Sequence, residues 1–110
     1  MKLELTPKPR RVIFAESNDF CDVRSMVELI ILPDVFGEKP CAYIHKVYTD
    51  KESQNLGFAT KLVKRAVRYS VKCGCHKVFL VCDESLLPFY SNCGLKKDEV
   101  GMVKLVTTKG

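Results

Sequence analysis

The change of hydrophobic period at Gly57 is the feature that most limits what this chain can fold into. From there, apolar residues recur at helical spacing and basic residues fill most of the other positions. The apolar positions are Phe58, Ala59, Leu62, Val63, Ala66, Val67 and Val71. This pattern predicts one long amphipathic helix, followed by Gly74 where a C-cap glycine belongs.

The segment that follows the helix, residues 77–82 (KVFLVC), is short and almost wholly apolar, as is typical of a strand buried on both faces. Another strand is expected before the helix, at residues 41–48 (CAYIHKVY). A strand, a helix and a buried strand in succession predict a right-handed crossover in which the two strands pair in parallel.

The first third of the chain predicts a hairpin. Residues 11–17 (RVIFAES) and 22–32 (DVRSMVELIIL) are rich in strand formers, and Asn18 and Asp19 supply turn chemistry between them. Two prolines and a glycine make residues 33–40 a loop. We therefore expect three antiparallel strands before the helix.

The end of the chain predicts one more helix and one more strand. Ser85 is expected to cap a short helix that runs to about Cys93, with Pro88 in its first turn and Gly94 ending it. Residues 100–107 are expected to form a final strand. The predicted order is βββαβαβ, an α/β fold of the α+β, mixed-sheet kind. With 110 residues and 46% apolar side chains, the chain has room for a single domain, residues 1–110.

Cysteine usage and the absence of a long apolar run predict a cytoplasmic protein with no membrane partner. No apolar run approaches the roughly 20 residues of a membrane span, and residues 1–10 carry two prolines and several charges. The six cysteines are interpreted as free buried thiols in a reducing compartment. Cys73, Cys75 and His76 lack the paired C-x-x-C spacing of zinc sites, so we expect no metal.

The net charge is concentrated on the predicted helix. The chain has 18 basic and 13 acidic residues, a difference of +5, and no acidic residue lies between Gly57 and Lys72. The basic positions of the helix are Lys61, Lys64, Arg65, Arg68 and Lys72. We expect no nucleic-acid partner, because neither a reader motif nor a cluster of exposed aromatic residues accompanies the stripe. Two interpretations of the basic residues remain: a solvated helix face and an anchor for a phosphate-bearing cofactor.

Residues 54–59 (QNLGFA) favour the phosphate-bearing cofactor. This segment follows a strand and opens the helix, and Gly57 and Ala59 leave backbone N–H groups exposed at the helix N-terminus. The dipole and the unpaired donors there favour a phosphate or pyrophosphate. The segment lacks the third glycine of a dinucleotide fingerprint and the Gly-Lys-Ser/Thr of a P-loop, which argues against NAD and nucleoside triphosphates.

In its context, after Val47-Tyr-Thr-Asp50 and before Lys61-Leu62, this segment resembles the acyl-CoA pyrophosphate loop of the GNAT superfamily of N-acetyltransferases. The resemblance covers about residues 41–107. Residues 74–82 (GCHKVFLVC), residues 88–94 (PFYSNCG), Lys96 and residues 101–104 (GMVK) look like the closing third of the glucosamine 6-phosphate N-acetyltransferases.

The resemblance implies that acetyl-CoA is the co-substrate and that seven residues bind it. Backbone amides of residues 57–60 would hold the pyrophosphate, and the strand that ends near Tyr48 would pair with pantetheine and offer an N–H to the thioester oxygen. The residues expected to bind acetyl-CoA are Val47, Tyr48, Gln54, Gly57, Phe58, Ala59 and Thr60. Tyr90 would lie beside the sulfur, and His45 takes a position that is acidic in the sugar-phosphate enzymes.

Two side chains are candidates for proton transfer. An unprotonated amine must attack the thioester carbonyl, and a thiolate must leave. The phenol of Tyr90 can protonate the thiolate as general acid, and the imidazole of His45 can take the proton of the amine as general base. For each residue a purely structural role stays open: Tyr90 as a buried aromatic residue and His45 as a strand histidine.

The resemblance departs from the family at the start of the chain. The family begins with a strand and two helices before the hairpin, and this sequence reaches its hairpin almost at once, so we expect a fold without them. The hairpin would then expose an edge, for which a homodimer is the simplest cover. The expected acceptor is a small-molecule primary amine, first glucosamine 6-phosphate. The alternatives are a protein or another small amine, and a non-catalytic CoA-binding or interaction module.

Overall fold

The computed structural model describes residues 8–20, 22–33 and 39–97. In chain order the elements are the strands β1 (Arg10–Ser17), β2 (Val23–Leu32) and β3 (Cys41–Thr49), a 3-10 turn (Lys51–Ser53), the helix α1 (Phe58–Lys72), the strand β4 (Val78–Phe79), a second 3-10 turn (Glu84–Leu86) and the helix α2 (Leu87–Asn92). The predicted order is confirmed through α2. The predicted strand at residues 100–107 lies outside the described residues.

The four strands form one mixed sheet in the order β1-β2-β3-β4. The pairs β1–β2 and β2–β3 are antiparallel, as the hairpin and the following loop predicted. The pair β3–β4 is parallel, with Ala42 opposite Val78 and Tyr43 opposite Phe79. The strand–helix–strand pattern therefore gives the parallel pairing that was expected of it.

The prediction that residues 77–82 form a strand buried on both faces is wrong. Pairing with β3 is limited to Val78 and Phe79, both of them half-buried, and Val81 is 79% exposed. Residues 80–82 leave β3 and form one wall of a cleft instead. An apolar run of this length serves a cleft wall as well as a core strand, and composition alone does not distinguish the two.

The core lies between one face of the sheet and α1. Along β2 the odd-numbered residues from Ser25 to Ile31 are buried, as the two-residue period of a strand requires. The apolar residues of this core are Phe14, Val27, Leu29, Ile31, Ala42, Ile44, Leu62, Val63, Ala66 and Cys93. Most come from β2, β3 and α1, so the helix is held across the middle of the sheet.

The buried stripe of α1 differs from the predicted one at its C-terminal end. Ser70 is fully buried, whereas Val71, assigned to the apolar face, is 67% exposed. Successive helical residues are rotated by about 100°, so the stripe that contains Leu62 and Ala66 continues to Ser70 and leaves Val71 aside. The Ser70 hydroxyl donates to the Ala66 carbonyl at 2.8 Å, which satisfies its burial.

The cysteines are less buried than expected. Of the five in the described residues, all are free thiols, but Cys93 is buried and the other four are half-buried. Residues 8–20, 22–33 and 39–97 contain no group of three or more His, Cys, Asp or Glu side chains able to hold a metal ion. Across the same residues, no helix has the length and apolarity needed to cross a membrane.

Candidate active site

A β-bulge at His45 shapes the central strand of the site. Glu28 lies opposite Lys46 and Leu29 lies opposite Ile44, so β3 contains one residue more than β2 at this point, and that residue is His45. Before the bulge, Ala42 and Ile44 face the core. After it the phase changes by one residue, so that Val47 packs on the core and Tyr48 is 51% exposed.

A cleft opens where β3 and β4 separate. Their pairing ends at Tyr43 and Phe79, whose rings stack with centroids 5.1 Å apart. Beyond this pair lies a cavity of about 620 Å³ between the bulged half of β3 and the segment after β4. We call it the sheet cleft; its lining residues are Ile44, His45, Lys46, Val47, Tyr48, Leu80, Val81, Cys82, Asp83, Leu86 and Tyr90.

A second cavity, of about 660 Å³, lies at the N-terminus of α1. We call it the loop cleft; its lining residues are Val47, Tyr48, Thr49, Ser53, Gln54, Asn55, Gly57, Phe58, Ala59, Thr60, Leu86, Phe89 and Tyr90. Asn55 at φ 66° and Gly57 at φ 83° both adopt the left-handed conformation, which asparagine and glycine tolerate best. These two residues turn the chain sharply into the helix.

The amides at the start of α1 are available to a ligand. The N–H of Lys61 makes the first bond of the helix, to the carbonyl of Gly57 at 3.1 Å, so the amides of residues 58–60 precede the first intrahelical bond. Gly57 has no side chain to cap them, and the first turn contains no acidic residue. A Cβ added at Gly57 would have no atom within 4 Å, so the backbone there is open to a close-lying group.

The two clefts meet at Tyr90. Both are lined by Val47, Tyr48, Leu86 and Tyr90, so a long ligand can pass from one to the other along the exposed edge of β3. Tyr90 lies on α2 and its ring packs edge-on against Phe89, with centroids 4.9 Å apart. Burial raises the pKa of the Tyr90 phenol, and the neighbouring Cys82 and Cys93 raise it further. The phenol therefore stays protonated and able to donate at neutral pH.

A buried carboxylate lies beneath His45. Glu28 is 4% exposed, and its Oε1 lies 2.5 Å from Nδ1 of His45. On its other side, Nε of Arg11 donates to Oε2 at 2.7 Å. The hydrogen bond with His45 lowers the pKa of Glu28 below its ordinary value; burial opposes this shift, and the hydrogen bond and charge of Arg11 reinforce it. Glu28 is therefore ionised at neutral pH.

All nine residues predicted for the site line one or both clefts. His45 lines the sheet cleft, and Gln54, Gly57, Phe58, Ala59 and Thr60 line the loop cleft. Val47, Tyr48 and Tyr90 line both. The sequence reasoning missed Glu28 and Arg11. The signal it could have used is the lone acid in the apolar segment MVELIIL, because a carboxylate buried in a strand requires a partner on a neighbouring strand.

The expected cap at Ser85 is wrong. Ser85 lies inside the second 3-10 turn, whose N-cap position is Asp83 with no side-chain capping bond. Pro88 lies in the first turn of α2, as predicted. The amide of Leu86 donates to the carbonyl of Asp83 at 2.9 Å, which closes the turn through the backbone.

Comparison with known families agrees with the fold. Residues 3–95 match the acetyltransferase (GNAT) family. The chain belongs to the GNAT family. Glucosamine 6-phosphate N-acetyltransferase 1 of Oryza sativa subsp. japonica is 30% identical to this GNAT chain over 60 residues, which are 54% of the chain and 36% of the rice protein. The chain thus spans about a third of the length of the curated relatives it matches.

Solved structures show the same fold. The glucosamine-6-phosphate N-acetyltransferase of Arabidopsis thaliana superposes with a TM-score of 0.79 at 20% identity, covering 88% of this GNAT chain and 67% of the plant protein. An aminoglycoside acetyltransferase from an uncultured soil metagenomic sample gives a TM-score of 0.77 at 22% identity, covering 90% and 66%. At such identities the likeness establishes the fold alone.

The first prediction concerns Glu28 and the stability of the fold. Because its folded-state pKa lies below the ordinary value of 4.5, ionised Glu28 stabilises the protein above about pH 4.5, and this contribution is lost as the pH falls through the lower, folded-state pKa. We expect Glu28→Gln to reduce the free energy of unfolding at about pH 6, and the difference from wild type to shrink toward about pH 3. Urea unfolding across this range measures it.

Asp19→Asn, which removes an exposed carboxylate in the β1–β2 turn, is the control and should leave the pH dependence nearly unchanged. A Glu28→Gln protein whose difference from wild type is the same at both pH values would show that Glu28 is not held ionised by its partners.

Proposed function

We propose that this chain transfers the acetyl group of acetyl-CoA to the primary amine of a small molecule, with glucosamine 6-phosphate as the first acceptor to test. The observation that carries the proposal is the junction of the two clefts at Tyr90, with open helix amides on one side and His45 on the other. The GNAT family and the names of the rice and Arabidopsis relatives support it.

The loop cleft has the features that acetyl-CoA requires. The pyrophosphate lies against the amides of residues 57–60, where the helix dipole and unpaired donors favour an anion. The absent Cβ of Gly57 leaves room for the close approach of that group. Pantetheine then follows β3 past Val47 and Tyr48 into the junction. Beyond Tyr43, the described part of β3 pairs with β2 on one edge, which leaves its other edge for a ligand.

The chemistry needs one proton acceptor and one proton donor. His45 takes a proton from the acceptor nitrogen as that nitrogen attacks the thioester carbon, and the backbone near Tyr48 stabilises the oxyanion. When the carbon–sulfur bond breaks, the phenol of Tyr90 gives its proton to the departing sulfur. The products are the N-acetylated amine and CoA. Each proton transfer of this kind contributes roughly 10²- to 10⁴-fold to a rate.

The sheet cleft is suited to a small polar acceptor. It carries both the ammonium of Lys46 and the carboxylate of Asp83, together with His45. Lys46 attracts a phosphate, whereas Asp83 attracts the hydroxyl or ammonium groups of a sugar. An amino sugar phosphate has groups for both Lys46 and Asp83, whereas an aminoglycoside has groups for Asp83 alone.

We also propose a homodimer in a reducing compartment such as the cytoplasm. In the described sheet β1 is the edge strand, and Ile13 on it is 48% exposed. A second copy paired along this edge would cover both its backbone groups and Ile13. The five free thiols fit a reducing compartment. Light scattering that gives the mass of a single chain at all concentrations would contradict the dimer.

The acceptor is tested with a panel of amines. We expect acetyl-CoA-dependent release of thiol with glucosamine 6-phosphate, and slower release with glucosamine, an aminoglycoside and a lysine peptide. Turnover of another amine in preference to the sugar phosphate would retain the acetyltransferase and reject its proposed acceptor. CoA binding without turnover of any amine would favour a non-catalytic CoA-binding module.

The prediction for the loop cleft compares the same substitution at two glycines with nearly the same positive φ. Gly57 and Gly74 have φ of 83° and 80°, and an added Cβ would meet nothing within 4 Å at either. Gly57→Glu puts a negative charge beside the pyrophosphate, so CoA affinity should fall at least about 100-fold, a loss of about 2.7 kcal/mol. Gly74→Glu, at the other end of α1, should bind CoA like wild type. Titration calorimetry measures both, and equal affinities in two folded variants would discard this site.

The prediction for Tyr90 separates catalysis from binding. Tyr90→Phe removes the proton donor and keeps the ring, so kcat should fall about 10- to 100-fold while the affinity for acetyl-CoA changes little. Tyr69→Phe is the matched control, because Tyr69 packs against Phe14 with ring centroids 5.5 Å apart, outside both clefts. Steady-state kinetics combined with calorimetry test this; reduced affinity with unchanged kcat would make Tyr90 a packing residue.

A further inference from the structure

The contact between Glu28 and His45 defines which nitrogen of the imidazole faces the cleft. An ionised carboxylate can only accept hydrogen bonds, and Oε1 of Glu28 lies 2.5 Å from Nδ1 of His45. Nδ1 must therefore carry the proton in this contact. The imidazole is 43% exposed and lines the sheet cleft, so Nε2 is the nitrogen left to the cleft.

We infer that Glu28 is a positioning residue that holds His45 with Nδ1 protonated and Nε2 free to take the proton of the acceptor amine. The inference rests on the proposed acetyl transfer, and it goes beyond that transfer by assigning the residue that makes His45 a base. Glu28 itself does not touch the substrate; it acts through the imidazole.

Three strands build this arrangement on the sheet face opposite α1. Glu28 on β2 has Ile13 of β1 and Lys46 of β3 as its register neighbours. Arg11 reaches Oε2 from β1 and His45 reaches Oε1 from β3, so each carboxylate oxygen has its own donor. The bulge in β3 brings His45 to this position. The ring of His45 is also tilted against Tyr43, with centroids 5.6 Å apart, which limits its rotation about χ2.

Several other charged or titratable groups face His45 in addition to Glu28. Arg11 lies behind the carboxylate and is 64% exposed, so solvent screens its charge. Tyr43, Lys46 and Tyr48 accompany His45 on β3, and Cys82, Asp83 and Tyr90 line the sheet cleft with it. Of these groups, Glu28 is the one within hydrogen-bond distance of the imidazole. Its carboxylate is therefore the group that directs the proton of the ring to Nδ1.

The proton transfer balances as follows. The nitrogen of the amine forms its bond to the acetyl carbon, and one of its protons moves to Nε2. The imidazolium that results carries a proton on each nitrogen and is stabilised by the Glu28 carboxylate, which remains ionised. The extra proton then leaves to solvent, which restores the starting tautomer, and the Tyr90 phenolate left after protonation of the sulfur takes a proton from solvent.

The kinetic test compares kcat/KM in three variants. Glu28→Gln keeps the shape and removes the charge, and its amide does not require a proton on Nδ1. At a pH where wild-type kcat/KM has reached its plateau, we expect kcat/KM with the best amine to fall about 10- to 100-fold, with the affinity for acetyl-CoA unchanged. Asp19→Asn removes the same charge in the β1–β2 turn and should leave kcat/KM unchanged. Glu28→Asp keeps the carboxylate and should retain more of the wild-type kcat/KM than Glu28→Gln.

The second test needs no activity. The chain contains two histidines, so the ring nitrogens of His45 are readily assigned by ¹⁵N NMR with a His45→Gln variant. At a pH where the imidazole is neutral, we expect the proton of His45 on Nδ1 in wild type and a mixture of tautomers in Glu28→Gln. His76 serves as the internal reference, because its Nδ1 lies 3.0 Å from the Lys39 carbonyl, away from Glu28. Its spectrum should be the same in both proteins.

The outcomes distinguish this inference from the proposed function. A wild-type protein that binds acetyl-CoA and acetylates no amine would overturn the function, and with it the proton transfer to Nε2. An active wild type whose kcat/KM is the same in Glu28→Gln would overturn the inference alone. A His45 proton on Nε2 in wild type would do so as well. Should Glu28→Gln not fold, the tautomer of His45 in the wild-type protein still decides the inference.

Discussion

The bulge at His45 is the constraint on which the rest of the site depends. The pairing of β3 with β4 ends at Tyr43, two residues before the bulge, and the sheet cleft opens beyond it. A bulge bends its strand and locally disrupts pairing, so it favours the separation of the two strands that leaves an edge of β3 for a ligand. The same residue changes the phase of the strand, so Tyr48 turns outward where the earlier alternation would have buried it. One inserted residue thus favours the cleft and its edge and sets the position of a histidine.

The position of the helix amides depends on core packing. Leu62, Val63 and Ala66 hold α1 across β2 and β3, within one turn or two of the amides at its N-terminus. Gly57 and Asn55 allow the chain to enter the helix at that fixed place. A cleft built at the end of a packed helix is more rigid than one built on loops, which lowers the entropic cost of binding. Cys93 at the end of α2 belongs to the same core cluster as Leu62 and Val63 of α1, which relates Tyr90 to the same helix.

Local patterns in the sequence were sufficient to predict much of this structure. The segment QNLGFA identified the loop cleft because turn residues and the helix start lie within six positions. Strand-forming residues located β1 to β3, and the 3.6-residue period located α1. What could not be predicted depends on partners far apart along the chain. Residues 80–82 look like a core strand in the sequence, but the pairing with β3 ends at Phe79. Glu28 gains its role only from Arg11, 17 residues before it, and His45, 17 residues after it. Ser70 and Val71 are neighbours on α1. Apolar character alone placed Val71 on the buried face of the helix, where the structure has Ser70.

The free-energy cost of burying the Glu28 carboxylate is the strongest reason to assign it a role in the reaction. A carboxylate taken out of water loses hydration, and a buried ion pair often recovers no more than an apolar residue of similar size would give. In a strand rich in Val, Leu and Ile, another branched aliphatic side chain would serve the fold as well as Glu28 does. A carboxylate at this position has one property that no aliphatic residue offers, which is to require a proton on Nδ1 of its neighbour. Arg11 helps to keep that carboxylate ionised. It therefore acts on the cleft indirectly, through its hydrogen bond to Glu28 and the hydrogen bond between Glu28 and His45.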